Sequence, residues 1–265
     1  MRILFIGDVF GKPGREAIKD WLREYRKENG VDFVIANGEN AAGGKGITKA
    51  IALELIANGV DVLTGGNHSF QHREIFDTYN QDKRLLRPAN LPEGVPGRGL
   101  GIYDVAGFGA RVAVINLQGR AFMKPVDCPY RKADELVREA LATTPIVFVD
   151  FHAEATSEKV AMAAYLDGRV TAVIGTHTHI PTADARLTEA GTAAITDVGM
   201  TGPFDSVIGV ETHIVLEQLI RGLPVRHEVA QGNGRVCALQ VDVDVETGRG
   251  LAVQQVIYPG WHKHV

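Results

Sequence analysis

The sequence predicts an α/β fold in which buried strands alternate with helices and antiparallel hairpins make the sheets mixed. Three observations carry this. Six short apolar runs rich in β-branched residues recur along the chain, continuous enough to be strands covered on both faces. Segments of helical periodicity lie between them, and two alternating stretches read as hairpins. Thirty glycines in 265 residues supply the tight turns that such an architecture uses.

The first run, ILFIG, leads into Asp8. DFVIAN then leads into Gly38-Glu39-Asn40, and VDVLTGG into Asn67-His68. PIVFVDF precedes His152, VTAVIG precedes Thr176-His177-Thr178-His179, and TAAITD precedes Val198-Gly199. Helices are expected over Arg15–Asn29, Thr48–Asn58, Lys132–Ala142 and Ser157–Leu166, with Thr48 and Ser157 as N-caps and Gly30 and Gly59 as stops. GIYDVAGFGARVAVINLQG is a hairpin about Gly107–Gly109, and RVCALQVDVDVETGRGLAVQQVIY another about Thr247-Gly248, so two sheets packed together are possible. Arg87–Gly99, rich in Pro and Gly, is a long connection. Without repeats, low-complexity tracts or linkers, residues 1–265 read as one domain.

Bulk properties exclude several classes. Net charge is −4 without a basic run, which argues against an extended nucleic-acid groove. No apolar run approaches the roughly 20 residues of a membrane span. Cys128 and Cys237 stand far apart with no C-x-x-C spacing, so a reducing, cytoplasmic setting is expected.

The residues just beyond the strands point to function. In open α/β sheets ligands bind beyond the carboxyl ends of strands. Those ends here carry Asp8, Glu39, Asn67, His152, His177 and His179, the carboxylate, imidazole and amide donors that suit divalent or trivalent ions. A bridging carboxylate can hold two ions about 3.5–4 Å apart, and Glu39 is the natural bridge. Asp8 would anchor one ion, Asn67 and His152 the other. An extended backbone at His177-x-His179 would present both imidazoles on one side, to neighbouring ions. Only Asp8 and Glu39 are anionic in this set, so two ions leave the cluster positive and attractive to phosphate. Ion-bound water, deprotonated near neutral pH, would be the nucleophile, and His68 could protonate the leaving oxygen.

Singly, these residues have plainer readings. Asp8 could be a turn residue, Asn67-His68 could cap a helix near Gln71, and His152 could be a core histidine. Gly43, Gly44 and Gly46 suggest close approach of the backbone to a ligand but lack the spacing of a P-loop. HSFQH lacks the Glu of the zinc-protease motif. His262-x-His264 has no converging acids and reads as solvated.

Taken together, GDVFG, NGEN, GGNH, DFHAE and GTHTH resemble the calcineurin-like metallophosphoesterases. DFHAEATSEK, GTHTHIPTAD and TDVGMTGPFDSVIG narrow the resemblance to the bacterial YmdB-like branch, almost end to end. The resemblance implies a four-layer α-β-β-α sandwich and a dinuclear centre, often of iron, with manganese or zinc as other candidates. It implies phosphodiesterase activity on small phosphodiesters such as 2′,3′-cyclic nucleotides. It also implies that Asp8, Glu39, Asn40 and His179 hold one metal, that Glu39, Asn67, His152 and His177 hold the second, and that His68 donates the proton. Two positions depart from the broad pattern: Phe10 stands where the Asp-x-His motif has its imidazole, and Glu39 replaces the bridging Asp. A nucleotide-sensing protein with little turnover, or a metal-dependent ester or amide hydrolase, would use the same donors, and the sequence leaves a homo-oligomer open.

Overall fold

The computed structural model describes residues 1–260, so the His262–His264 pair lies outside the described residues. Two six-stranded mixed sheets lie back to back. In the first, β1 (Arg2–Ile6), β2 (Phe33–Asn37) and β3 (Val62–Thr64) run parallel. The antiparallel strand β11 (Gly234–Val243) flanks β1 and also pairs with β10 (Gly202–Pro203) and β12 (Gly250–Tyr258). The second sheet has the order β4 (Leu100–Val105), β5 (Ala110–Gln118), β6 (Val147–His152), β7 (Ala172–Thr176), β9 (Ala193–Ile195) and β8 (Arg186–Leu187). Its inner strands are parallel; the pairs β4–β5 and β8–β9 are antiparallel.

Period-two alternation sorts the strand side chains into layers. On β1, Leu4 and Ile6 face helices α1 (Gly11–Glu28) and α2 (Lys49–Ala57), where they meet Ile18, Leu22 and Leu55. Ile3 and Phe5 face the other sheet and meet Val114, Phe148 and Ile174. Beyond the second sheet, Ile115, Val149 and Val173 pack on α4 (Pro129–Leu141) and α5 (Thr156–Tyr165) through Val137 and Met162. Three apolar interfaces between four layers make the α-β-β-α sandwich. Each fully buried Leu, Ile or Phe contributes about 1.5–3 kcal/mol of transfer free energy.

Local signals explain most of the boundaries. Thr48 caps α2, its side chain accepting from the Ile51 amide, and Gly30 and Gly59 follow helix ends with φ of 60° and 110°. Helix α1 starts at Gly11 rather than Arg15, because Pro13 sits in a first turn where no amide partner is needed. Ser157 is not a cap: α5 begins at Thr156 behind an extended Ala155. The helix read near Gln71 begins four residues later, at Ile75, and one further helix was not expected. The first is the 7-residue α3 (Ile75–Gln81), too short for a clear period; the second, α6 (Thr212–Arg221), has an apolar stripe but buries none of its residues. No helix among the described residues is long and apolar enough to cross a membrane.

Candidate metal centre

The parallel strands of both sheets end on one rim. Asp8 lies just past β1, Glu39 and Asn40 past β2, Asn67 and His68 past β3, His152 ends β6, and His177 and His179 follow β7. A buried carboxylate ties the two sheets together there. Asp150 on β6 accepts from Asn37 Nδ2 at 2.9 Å and Thr64 Oγ1 at 2.5 Å across the sandwich, and from Thr176 Oγ1 at 2.7 Å on the neighbouring strand. All eight predicted residues converge there.

Glu39 is the hub. Its Oε1 lies 3.3 Å from His152 Nε2 and 3.2 Å from His68 Nδ1, and it accepts from Asn40 Nδ2 at 3.0 Å. Oε2 accepts the His68 backbone amide at 2.9 Å. Donor atoms of Glu39, His152 and His177 all lie within 4.8 Å of one another. Asn67 Oδ1 is 2.9 Å from His152 Nε2, so Asn67 serves this cluster rather than a helix cap. Gly66 permits the crowding: a Cβ there would meet Glu39 Oε2 at 2.3 Å and His152 Nε2 at 2.4 Å.

Each imidazole turns one nitrogen to the cluster and occupies the other elsewhere. Thr176 gives its hydroxyl proton to Asp150, so His152 Nδ1–H donates to Thr176 Oγ1 at 2.9 Å and Nε2 faces Glu39. His177 Nε2 meets Glu154 Oε2 at 3.0 Å, leaving Nδ1 3.0 Å from His152 Nε2. His179 Nδ1 donates to the Ile208 carbonyl at 2.8 Å, and its Nε2 lies 3.2 Å from Asn40 Nδ2. Such outer partners fix the tautomer and orientation of metal-ligating histidines.

The His177-x-His179 pair corrects one expectation. The backbone there is not extended: φ is 99° at His177 and 67° at His179. The loop holds this shape because Asp8 Oδ2 accepts the His177 amide at 3.1 Å and Asp197 Oδ2 accepts the Thr178 amide at 3.1 Å. Asp197 is in turn paired with the buried Lys159 at 2.6 Å. The imidazoles consequently diverge, His177 toward His152 and His179 toward Asn40.

The electrostatics favour positive charge inside. Burial pushes the Asp8 carboxyl up to about 8, with His152 opposing the shift. Burial would also raise Glu39, yet His152 and His68 hold it well below the usual range. Burial disfavours charge on His152, but Glu39, Asp8 and Asp150 outweigh it and raise the ring to about 9. Burial and His152 push His177 down to about 3, and burial lowers His179, so both are neutral, as ligands must be. Asp8 Oδ1 is fully buried without a hydrogen-bond partner.

A cavity of about 940 Å³ opens over this rim, bounded by Phe10, the 42–45 loop, His68, His177, His179 and residues of the 207–229 segment. Phe10, where the broad pattern has an imidazole, is buried and meets His179 edge-on at 5.3 Å between ring centres. It therefore packs the site rather than ligating. Gly44 makes room beneath it; a Cβ there would meet the Phe10 ring at 2.8 Å.

A family model described as YmdB-like protein matches residues 4–256. The chain belongs to this family, a branch of the metallophosphoesterases. It is 49% identical to the 2′,3′-cyclic-nucleotide 2′-phosphodiesterase of Bacillus subtilis, over 97% of each chain. A crystal structure of a hypothetical protein from Thermus thermophilus is 42% identical with a TM-score of 0.91, covering 97% of this chain and 99% of that one. That of a novel phosphatase from Mycoplasma pneumoniae is 35% identical with a TM-score of 0.91, covering 97% of this chain and 92% of that one.

The fold implies metal ions, and the donors fit them. The buried, unpartnered Asp8 Oδ1 and three imidazoles with a nitrogen turned inward are an oxygen-and-nitrogen set for hard or borderline cations. The supporting groups Asp150, Asn37, Thr64, Thr176, Glu154 and the Lys159–Asp197 pair were not anticipated. A signal existed for Asp150 and Lys159: each is a charged side chain at a position whose strand or helix phase is buried.

Proposed function

We propose that the chain is a dinuclear metal-dependent phosphodiesterase acting on small diesters such as 2′,3′-cyclic nucleotides. Asp8, Glu39, Asn40 and His179 would hold one ion, and Glu39, Asn67, His152 and His177 the other. The observation that supports this reading is that His152, His177 and His179 each have an outer partner on one ring nitrogen, with the other nitrogen turned toward Glu39, His152 and Asn40 respectively. Iron fits the mixed oxygen and nitrogen donors, as would manganese or zinc. A cytoplasmic setting follows from the sparse cysteines.

Bound there, the ions would polarise the phosphoryl group and lower the pKa of water. The chain's own residues supply the rest. Glu39 would contribute to holding both ions; its two oxygens lie against His152 and the His68 amide. His68 is partly exposed on the cavity side and held by Asn40 Oδ1 at 2.8 Å, so it can bring a proton to a departing ribose oxygen. The 207–229 segment and the 42–45 loop line the cavity in which the diester would sit.

The test is hydrolysis of 2′,3′-cyclic AMP and bis-p-nitrophenyl phosphate before and after chelation and metal return. Both activities should vanish on chelation and come back with iron or manganese. Cyclic nucleotide recovered intact from a metal-loaded sample would contradict turnover and favour a sensing role.

A further inference from the structure

We propose that Ile208 is a specificity residue whose side chain contacts the nucleobase of the substrate; this rests on the phosphodiesterase reading above. Val207 and Val210 exchange both backbone hydrogen bonds, at 2.9 and 3.0 Å, which closes a two-residue turn with Ile208 and Gly209 at its corners. Their φ angles are 48° and 100°. Turns with positive φ at both corners favour Asn-Gly, because glycine has no Cβ and Asn tolerates the left-handed region. A β-branched residue there is an outlier, its Cβ crowded against the following carbonyl oxygen.

The rest of the turn shows why it persists and what folding leaves unexplained. Ser206 Oγ accepts the Gly209 amide at 2.9 Å, and a Cβ at Gly209 would meet the Phe10 ring at 2.5 Å, so the corner is pinned against the core. The Ile208 carbonyl accepts from His179 Nδ1 at 2.8 Å. That contact needs only the backbone. The side chain is 50% exposed and lines the cavity shared with His68, His177 and His179. Burial therefore does not compensate the strain, and Asn would orient His179 equally well. Strained residues of this kind persist at ligand clamps, where the side chain serves the bound state. Beside it, Val215, Leu219 and Val225 form the apolar part of a wall of the same cavity that also carries Gln218, Arg226, His227 and Glu228. A cyclic nucleotide with its phosphodiester at the cluster would lay its base on that wall, with Ile208 at the junction.

The test compares wild type, Ile208→Asn and Ile208→Leu in thermal melts and in kinetics on two substrates. These are 2′,3′-cyclic AMP and ribose 2,3-cyclic phosphate, which carries the same reacting ring without a base. Ile208→Asn should raise Tm by about 2–4 °C through relief of the turn. It should raise KM for cyclic AMP about tenfold, as expected for lost apolar contact, and leave ribose 2,3-cyclic phosphate within about twofold. Ile208→Leu keeps the apolar contact and should hold KM for cyclic AMP within about threefold. Equal losses on both substrates would reduce Ile208 to a support for His179, and unchanged cyclic AMP kinetics in Ile208→Asn, or a Leu variant as impaired as Asn, would overturn the base contact. A metal-loaded wild type that hydrolyses neither compound would instead sink the phosphodiesterase reading, and this one with it.

Discussion

The strand-end cluster and the 207–229 wall line one cavity and are built in opposite ways. Asp8, Glu39 and His152 are fully buried, and each inward-facing imidazole is braced by a second partner. On the wall's helix α6, by contrast, Leu219 and Ile220 are 73% and 81% exposed, and the helix buries none of its residues. Reacting groups must be held to fractions of an ångström, whereas apolar contact with a varied substrate tolerates movement. Substitutions in the cluster should therefore change chemistry and metal content, and substitutions in the wall should change substrate preference.

The largest effect is expected at the cluster's one cavity-facing imidazole outside the inward-facing three. His68→Ala should lower kcat by roughly 10²–10⁴ with metal content intact. Metal lost along with activity would instead make His68 a support for Glu39, which its Nδ1 approaches at 3.2 Å.

Next comes the brace beneath His177 and His179. Asp197→Asn leaves Lys159 buried without its counter-charge, a change that costs about 3–5 kcal/mol when buried pairs are broken. Chemical denaturation should register this as a lower midpoint at unchanged slope. A midpoint equal to wild type would mean that the ion pair does not hold the loop. At the small end, Leu219→Gln in the exposed wall should change stability by less than about 0.5 kcal/mol. A cooperative loss of several times that amount would show that the wall is part of the folded core.

The same contrast explains what the sequence disclosed. The strands were legible because ILFIG, PIVFVDF and VTAVIG are continuous apolar runs, and the donors because each stands directly after one of them. Asp150 and Lys159 were less visible, since their roles depend on partners more than 20 residues away, such as Thr64 and Asp197. The left-handed backbone at His177 and His179 left no mark at all, because it is imposed by Asp8 and Asp197 accepting loop amides. Helix α6 was missed although Val215, Leu216, Leu219 and Ile220 recur at helical spacing; that stripe packs on no core, and the helix buries none of its residues.

The central claim is that Glu39 joins two metal ions. The measurement that tests it most directly is metal per chain, by mass spectrometry after reconstitution and desalting, for wild type and Glu39→Gln with matched thermal melts. The account predicts near two ions per wild-type chain and loss of both in Glu39→Gln, because the neutral amide removes the shared charge. Retention of both ions by Glu39→Gln, or a wild-type chain that binds none, would contradict it.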